Sequence, residues 1–158
     1  MGCGGRLFRG FNSINLDEKG RMAVPTRYRA ELQRICEGKL VVTLGLDQCL
    51  VLFPLPEFEQ LQARLEGLPI LDPRVKSLKR LLVGHAYDCE LDAQGRFLIP
   101  EALRSLVGLE KRLALIGQGR VFEIWSEETW SRSRTEWLDV KNLENLRELS
   151  PELGALTW

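Results

Sequence analysis

Two aspartate–arginine pairs carry the most suggestive chemistry of this 158-residue chain. Asp17 stands four residues before Arg21, and Asp92 four before Arg96, with Gly20 and Gly95 directly ahead of the arginines. Such residues can act in two ways. Two carboxylates related by a duplication can share a proton and activate water. Here neither Asp is followed by the Thr/Ser-Gly of such proteases, and each has an Arg nearby that keeps it ionised. The other chemistry belongs to the arginines: a planar fork of donors suits phosphate oxygens and the O6/N7 edge of guanine. The Asp and Gly then serve as turn formers. An Asp side chain accepts backbone N–H groups just downstream, and Gly takes a left-handed φ at little cost.

The pairs are parts of a longer repeat. Leu16-Asp17-Glu18-Lys19-Gly20-Arg21 continues into Met22-Ala23-Val24-Pro25, and Leu91-Asp92-Ala93-Gln94-Gly95-Arg96 into Phe97-Leu98-Ile99-Pro100, an offset of 75 residues. Each Pro opens a helical stretch with an Arg four later, Arg29 and Arg104. The spacing indicates a duplicated fold unit, because solenoid periods run about 20–50 residues. Apolar residues flank each Asp-x-x-Gly on both sides, so each copy reads as a β-hairpin with a short loop, Asp and Arg facing each other across its base. The first hairpin is expected from Phe11–Leu16 and Arg21–Val24, the second from Ala86–Leu91 and Phe97–Ile99.

The elements that position the pairs follow the same duplication. After Pro25 a helix is expected to about Cys36, with Tyr28, Leu32 and Ile35 on one face and Gly38 as its stop. Strands follow at Lys39–Leu44 and Cys49–Phe53, then an amphipathic helix over Leu55–Leu68. Asp72 caps a further helix, 73–83, whose Arg74, Lys76, Lys79 and Arg80 read as a solvated face. The second half replays this order with a short helix over Pro100–Val107, strands Arg112–Ile116 and Val121–Trp125, a turn at Gly117-Gln118-Gly119-Arg120, and a longer helix. A last helix is expected from about Val140 to Leu149, then a frayed tail. The domain organisation is a disordered extension over 1–6, a first half over 7–69, a second over 70–138, and a C-terminal helix and tail over 139–158.

Composition narrows the function classes. The apolar fraction, 44%, suffices for a core. No apolar run approaches the ~18 residues of a membrane span, and Met1–Arg6 lacks the apolar core of a signal peptide, so a cytosolic protein is expected. Cys3, Cys36, Cys49 and Cys89 form no Cys-x-x-Cys pair and His85 is the single histidine, so neither a metal nor a cofactor is expected. Cys36, Cys49 and Cys89 read as small core residues. Formal net charge is zero but uneven. Residues 1–34 hold seven bases against three acids, net +4; residues 123–158 hold four bases against eight acids, net −4. This points to a basic working face with an acidic part kept away from it.

The repeat resembles the hairpin signature of the AbrB-like DNA-binding superfamily, and its doubled form resembles the MraZ family of bacterial transcriptional regulators. Phe8-Arg9-Gly10, the stretch from Leu16 to Arg29, Leu55-Pro56-Glu57-Phe58, Arg80-Leu81-Leu82-Val83-Gly84-His85-Ala86 and Asp92–Pro100 carry the likeness, which covers roughly Leu7 to Leu138. The resemblance implies an α+β fold: a pseudo-two-fold, swapped-hairpin β-barrel of two fused AbrB-like halves with flanking helices. It implies a sequence-specific DNA-binding regulator, nucleoid-associated and not an enzyme. Such a regulator would bind direct repeats of double-stranded DNA as a homo-oligomeric ring and repress the division and cell-wall gene cluster that includes its own gene. Neither a membrane nor a small-molecule substrate is implied. DNA contact is expected from Arg9, Lys19, Arg21, Arg27, Arg29, Arg96 and Arg104, with Asp17, Gly20, Asp92 and Gly95 building the turns. The second copy has Ala93-Gln94 for Glu18-Lys19 and Glu101 for Thr26, so its hairpin is the less basic. The alternative binding function is an antitoxin-like interaction module using the acidic segment with Trp125, Trp130, Trp137 and Trp158.

Overall fold

A computed structural model of the chain describes residues 7–156. The expected extension over 1–6 and Trp158 lie outside the described residues. Two compact units divide after Ser126.

The first unit contains both copies of the repeat. In chain order it is β1 (Phe8–Asn15), β2 (Arg21–Ala23), α1 (Thr26–Cys36), β3 (Lys39–Leu44), β4 (Leu50–Pro54), α2 (Leu55–Glu66), α3 (Pro73–Leu82), β5 (Tyr87–Glu90), β6 (Arg96–Leu98), α4 (Glu101–Leu106), β7 (Arg112–Gly119) and β8 (Phe122–Ser126). Apart from the inserted α3, the second half repeats the element order of the first.

The strands form a six-stranded antiparallel sheet in the order β1-β7-β8-β4-β3-β5, and a separate two-stranded ladder, β2-β6. Exchanging each strand for its counterpart in the other half turns the six-strand order into its own reverse. The sheet therefore carries the pseudo-two-fold of the duplication. The axis passes between β4 and β8, where Val51 faces Glu123, and through the ladder, where Met22 faces Phe97.

This topology corrects the simple hairpin. The turn forms in each copy, but its two arms do not pair with each other. β1 leaves the first turn to pair with β7, while β2 pairs with β6. Likewise β5 pairs with β3 of the first half. An apolar alternation says which face of a strand is buried; it does not say which strand lies beside it, and pairing across the halves buries both copies' apolar runs in one core. The α+β fold is thus built by exchange of hairpin arms, as a swapped-hairpin arrangement requires. Pairing of β1 with β7 runs from Phe8 opposite Gly119 to Asn15 opposite Arg112. That length explains why β7 continues through Gly117–Gly119, where a turn was expected.

The core lies between the sheet, the ladder and α1 and α4. Met22, Val24, Leu32, Leu40, Leu52, Ile99, Leu103, Leu115, Phe122 and Ile124 are buried in one cluster. Tyr28 and Leu32 fix α1, as its 3.6-residue spacing suggested, with Cys36 buried a turn later and Ile35 partly buried. The buried Thr43 hydroxyl donates to the Leu82 carbonyl at 2.6 Å. Asp72 caps α3 by accepting the Arg74 N–H at 2.9 Å. His85 Nδ1 stands 3.0 Å from the Arg80 carbonyl and 3.1 Å from that of Leu81, so His85 closes the end of α3.

The second unit holds α5 (Glu127–Trp137), α6 (Val140–Leu149) and α7 (Pro151–Gly154). Trp130 and Trp137 pack edge to face on α5 with ring centres 5.3 Å apart. Asp139 caps α6 by accepting the Lys141 N–H. Where the sequence suggested only a tail, Ser150 and Pro151 start one further short helix.

Candidate nucleic-acid interface

Each Asp closes its turn by the same bonds. Asp17 Oδ1 accepts the N–H groups of Lys19 at 2.9 Å and Arg21 at 2.8 Å, and Oδ2 accepts Arg21 Nε at 2.8 Å. Asp92 Oδ1 accepts the N–H groups of Gln94 and Arg96 at 2.9 Å, and Oδ2 accepts Arg96 Nε at 3.0 Å. The backbone N–H of Arg21, helped by the Arg21 side chain and the Lys19 N–H, holds the Asp17 carboxyl below the ordinary carboxylate range, and together they outweigh the opposing effect of desolvation. The Arg96 and Gln94 bonds do the same for Asp92. Both carboxylates are therefore committed to their own turns and kept ionised. Each carboxylate is bonded within its own turn and neither is bonded to the other, which counts against a shared-proton Asp17–Asp92 pair.

The ladder then places the two arginines together. Arg21 lies opposite Leu98, Met22 opposite Phe97, and Ala23 opposite Arg96. Side chains alternate along a strand, so Met22 and Phe97 share one face, while Arg21, Ala23, Arg96 and Leu98 share the other. Met22 and Phe97 are buried. Arg21 and Arg96 are diagonal neighbours on the outward face, about 7–8 Å apart at their backbones by ladder geometry. The turn bond orients each guanidinium through Nε and leaves its Nη groups at the rim. In Arg96 one of these also donates to Gln94 Oε1 at 3.3 Å. Arg21 Nη1 and Nη2 have no partner among the described residues.

The other expected DNA contacts fall into separate places. Lys19 is exposed on the first turn. Arg9 and Arg27 sit together near the far end of β1, roughly 25 Å of extended strand from Asp17. There they line an open cleft with Tyr28, Glu31 and Gln118. Arg27 Nη2 donates to Asn12 Oδ1, and its guanidinium lies 4.7 Å from the Tyr28 ring centre. Tyr28 Oη in turn donates to the Arg9 carbonyl at 2.7 Å and accepts from Asn12 Nδ2 at 3.1 Å. Arg29 and Arg104 are half-buried. Arg29 Nε donates to the Val24 carbonyl at 2.8 Å, and Arg104 Nε to that of Ile99 at 3.0 Å.

The comparisons with known proteins give the family of the chain. The family model described as "MraZ protein, putative antitoxin-like" matches twice, over residues 7–81 and 82–145. The chain belongs to the MraZ family. Among its relatives is the protein named transcriptional regulator MraZ of Methylococcus capsulatus, 62% identical over 152 residues, which are 96% of this chain and 100% of that protein. The same name is borne by relatives from Thioalkalivibrio sulfidiphilus, 53% identical over 96% of this chain and 99% of the other, and Halorhodospira halophila, 50% identical over 95% and 99%. These MraZ relatives are named as regulators of transcription, not as enzymes.

Sequence reasoning passed over Tyr28 as a residue lining the cleft and Asn12 as a partner of Arg27 and Tyr28. The signal for Tyr28 was its place on the apolar face of α1, which says core and not hydroxyl. No local signal marks Asn12.

Proposed function

We propose that this chain is a sequence-specific, DNA-binding transcriptional regulator whose contact surface is the outward face of the β2-β6 ladder. The observation that carries the reading is the pair Arg21 and Arg96, drawn from opposite halves onto one face of a two-stranded ribbon. A ribbon of this width fits the major groove of B-DNA, about 12 Å wide. Turn bonds through Nε pre-orient both forks. Lys19 adds charge beside Arg21. Arg9 and Arg27 hold backbone phosphates farther along the same duplex.

The finer reading is a repressor of the division and cell-wall gene cluster, its own gene included, acting in the cytoplasm on nucleoid DNA. It assembles as a ring on direct repeats. One chain already supplies both halves of its pseudo-two-fold, so it needs no partner to complete the ladder. Assembly is then free to be head-to-tail, and such a contact closes into a ring when the rotation allows. Ring members present the same ladder in the same sense, which matches sites repeated in one orientation about one helical turn (~10–10.5 bp) apart. Joining several weak sites raises avidity by about 10²–10⁴ without new contacts.

The test is Arg21→Ala on DNA upstream of the chain's own gene, with thermal unfolding as control. A lost base contact costs about 1–3 kcal/mol and relaxes specificity, whereas a lost phosphate contact lowers the salt slope by about one unit. Unchanged affinity in a normally folded variant overturns the reading. Retention of a protein partner with no retention of DNA favours the antitoxin-like module instead. Inserting half a helical turn between two repeats should abolish the avidity, and full affinity for a single inverted repeat counts against the ring.

A further inference from the structure

Arg29 and Arg104 recur in both copies, and the structure gives them an arrangement that differs from an open phosphate contact. Each stands at the fourth position of its helix. Helical side chains lean back toward the N-terminus, so each reaches the residue just before its own proline. Arg104 Nε donates to the Ile99 carbonyl at 3.0 Å, and the Ile99 N–H donates to the Gly20 carbonyl at 2.9 Å. In the other half, Arg29 Nε donates to the Val24 carbonyl at 2.8 Å, and the Val24 N–H donates to the Gly95 carbonyl at 2.8 Å. Each arginine is thereby tied to the turn of the opposite copy.

The turn glycines show how close that tie is. Gly20 (φ +83°) and Gly95 (φ +75°) are both buried, although they sit at turns. A Cβ on Gly20 would lie 2.8 Å from Arg104 Nη2 and 2.9 Å from its Cζ. A Cβ on Gly95 would overlap Arg29 Nε and lie 2.6 Å from its Cζ. The plane of each guanidinium thus lies against a glycine that has no side chain to keep it off. These glycines answer two demands at once: a left-handed φ, and room for an arginine from the other half.

We propose that Arg104 and Arg29 are positioning residues acting across the pseudo-two-fold. Arg104 holds the turn that aims Arg21, and Arg29 holds the turn that aims Arg96. The proposal rests on the reading of the ladder face as the DNA contact, and it reassigns two arginines from contact to positioning. Lysine keeps the charge but has no planar fork to lie on a glycine while donating sideways through Nε. A phosphate-contacting arginine therefore tolerates Lys better than a positioning one does.

The clamp is tested first without DNA. In free, full-length protein, hydrogen exchange is compared over residues 16–22 and 91–97. The N–H groups of Lys19, Gly20 and Arg21 are all bonded within the first turn. Arg104→Lys should speed exchange over 16–22 by about tenfold, as local opening becomes easier, and leave 91–97 unchanged. Arg29→Lys should do the reverse. Acceleration of both turns equally, or of neither, overturns the clamp whatever DNA binding does. Where a Lys variant does not fold, Arg104→Gln and Arg29→Gln serve for the same comparison.

DNA binding supplies the second arm. Arg104→Lys should weaken binding at least threefold at constant salt slope. Its loss should be less than additive with Arg21→Ala and additive with Arg96→Ala. Wild-type affinity in Arg104→Lys, or coupling to Arg96 in place of Arg21, refutes the positioning role. If instead exchange crosses over as expected while Arg21→Ala binds DNA normally, the clamp stands and the DNA face must lie elsewhere.

Discussion

The two halves share a backbone plan yet carry different surfaces. The first half has Lys19, Arg27, Tyr28 and Asn12 where the second has Gln94, Ala102, Leu103 and Tyr87. The elements that exchange, the turn bonds and the Arg29/Arg104 ties are alike on both sides. The Arg9–Asn12–Arg27–Tyr28 network belongs to the first half alone. What is common to the halves builds the ladder and holds its turns. What differs lies mostly at the rim, where charge adjusts contact; the exception is Tyr28, which is buried in the core. A duplicated protein can specialise one copy this way because the pseudo-symmetric core does not depend on rim residues.

The largest effect that probes this comparison is expected at Tyr28. Tyr28→Leu makes α1 resemble α4, which has Leu103 at the matching position. It removes the hydroxyl that bonds the Arg9 carbonyl and Asn12. It also removes edge-on ring contacts with Phe8, 5.9 Å between centres, and Phe122, 4.9 Å. Two hydrogen bonds and two aromatic contacts together predict a loss of about 3 kcal/mol in denaturant unfolding. Tyr28→Phe, which keeps the ring, should cost only about 1 kcal/mol. If Leu costs no more than Phe, the aromatic cluster contributes nothing and the first half is not specialised there.

A smaller effect should follow from exchanging the rim residues of the turns. Lys19→Gln makes the first turn resemble the second, and Gln94→Lys makes the second resemble the first. The first change should reduce the salt slope of DNA binding by up to about one unit, and the second should raise it by a similar amount. Gln94→Lys also frees the Arg96 Nη2 that Gln94 holds. Thermal stability should move by no more than about 0.5 kcal/mol in either variant, as for ordinary surface changes. Equal and unchanged salt slopes in both variants would show that the difference between the turns is irrelevant to binding.

Much of this organisation was legible in the sequence, for definite reasons. Asp-x-x-Gly-Arg fixed the turn and its internal bonds, because those involve residues at most four apart. The bounds of β3 followed from its short apolar run and those of α6 from helical spacing. What the residues alone misplaced was the partner of each arm. A closed hairpin and an exchanged one use the same turn and bury the same side chains. The choice depends on contacts between residues about 75 apart, such as Met22 with Phe97, and only the family resemblance implied it. The cross-half ties of Arg29 and Arg104 were hidden likewise. Each stands nine residues after a turn glycine of its own copy, yet the glycine it covers belongs to the other. The Asn12–Tyr28 bond beside the cleft escaped notice because neither residue carries a charge and they stand 16 residues apart.

The smallest effect concerns the feature in which the halves agree most. Both turn carboxyls are held below their ordinary range, chiefly by the backbone N–H of the following arginine. A group whose folded pKa is depressed adds stability above its unfolded pKa, and that stability is lost as pH falls through the folded value. The turns should therefore be intact at neutral pH and loosen only as the pH drops below the usual Asp value of about 3.9. Because both carboxyls are close to solvent, the stability change should be slight. The expected readout is local: faster exchange over 16–22 and 91–97 at acid pH, compared after correction for the intrinsic rate, with the β3 and β7 amides still protected. Asp17→Asn should produce the same loosening at neutral pH in the first turn only, and Asp92→Asn in the second only. An asymmetry is expected in the acid state. Arg96 keeps its bond to Gln94 when Asp92 is protonated, whereas Arg21 loses the one side-chain partner it has among the described residues. The first turn should thus loosen more than the second, and Gln94→Ala should remove that difference. Equal loosening of the two turns in the parent protein would mean that the Gln94 bond does not help to hold Arg96.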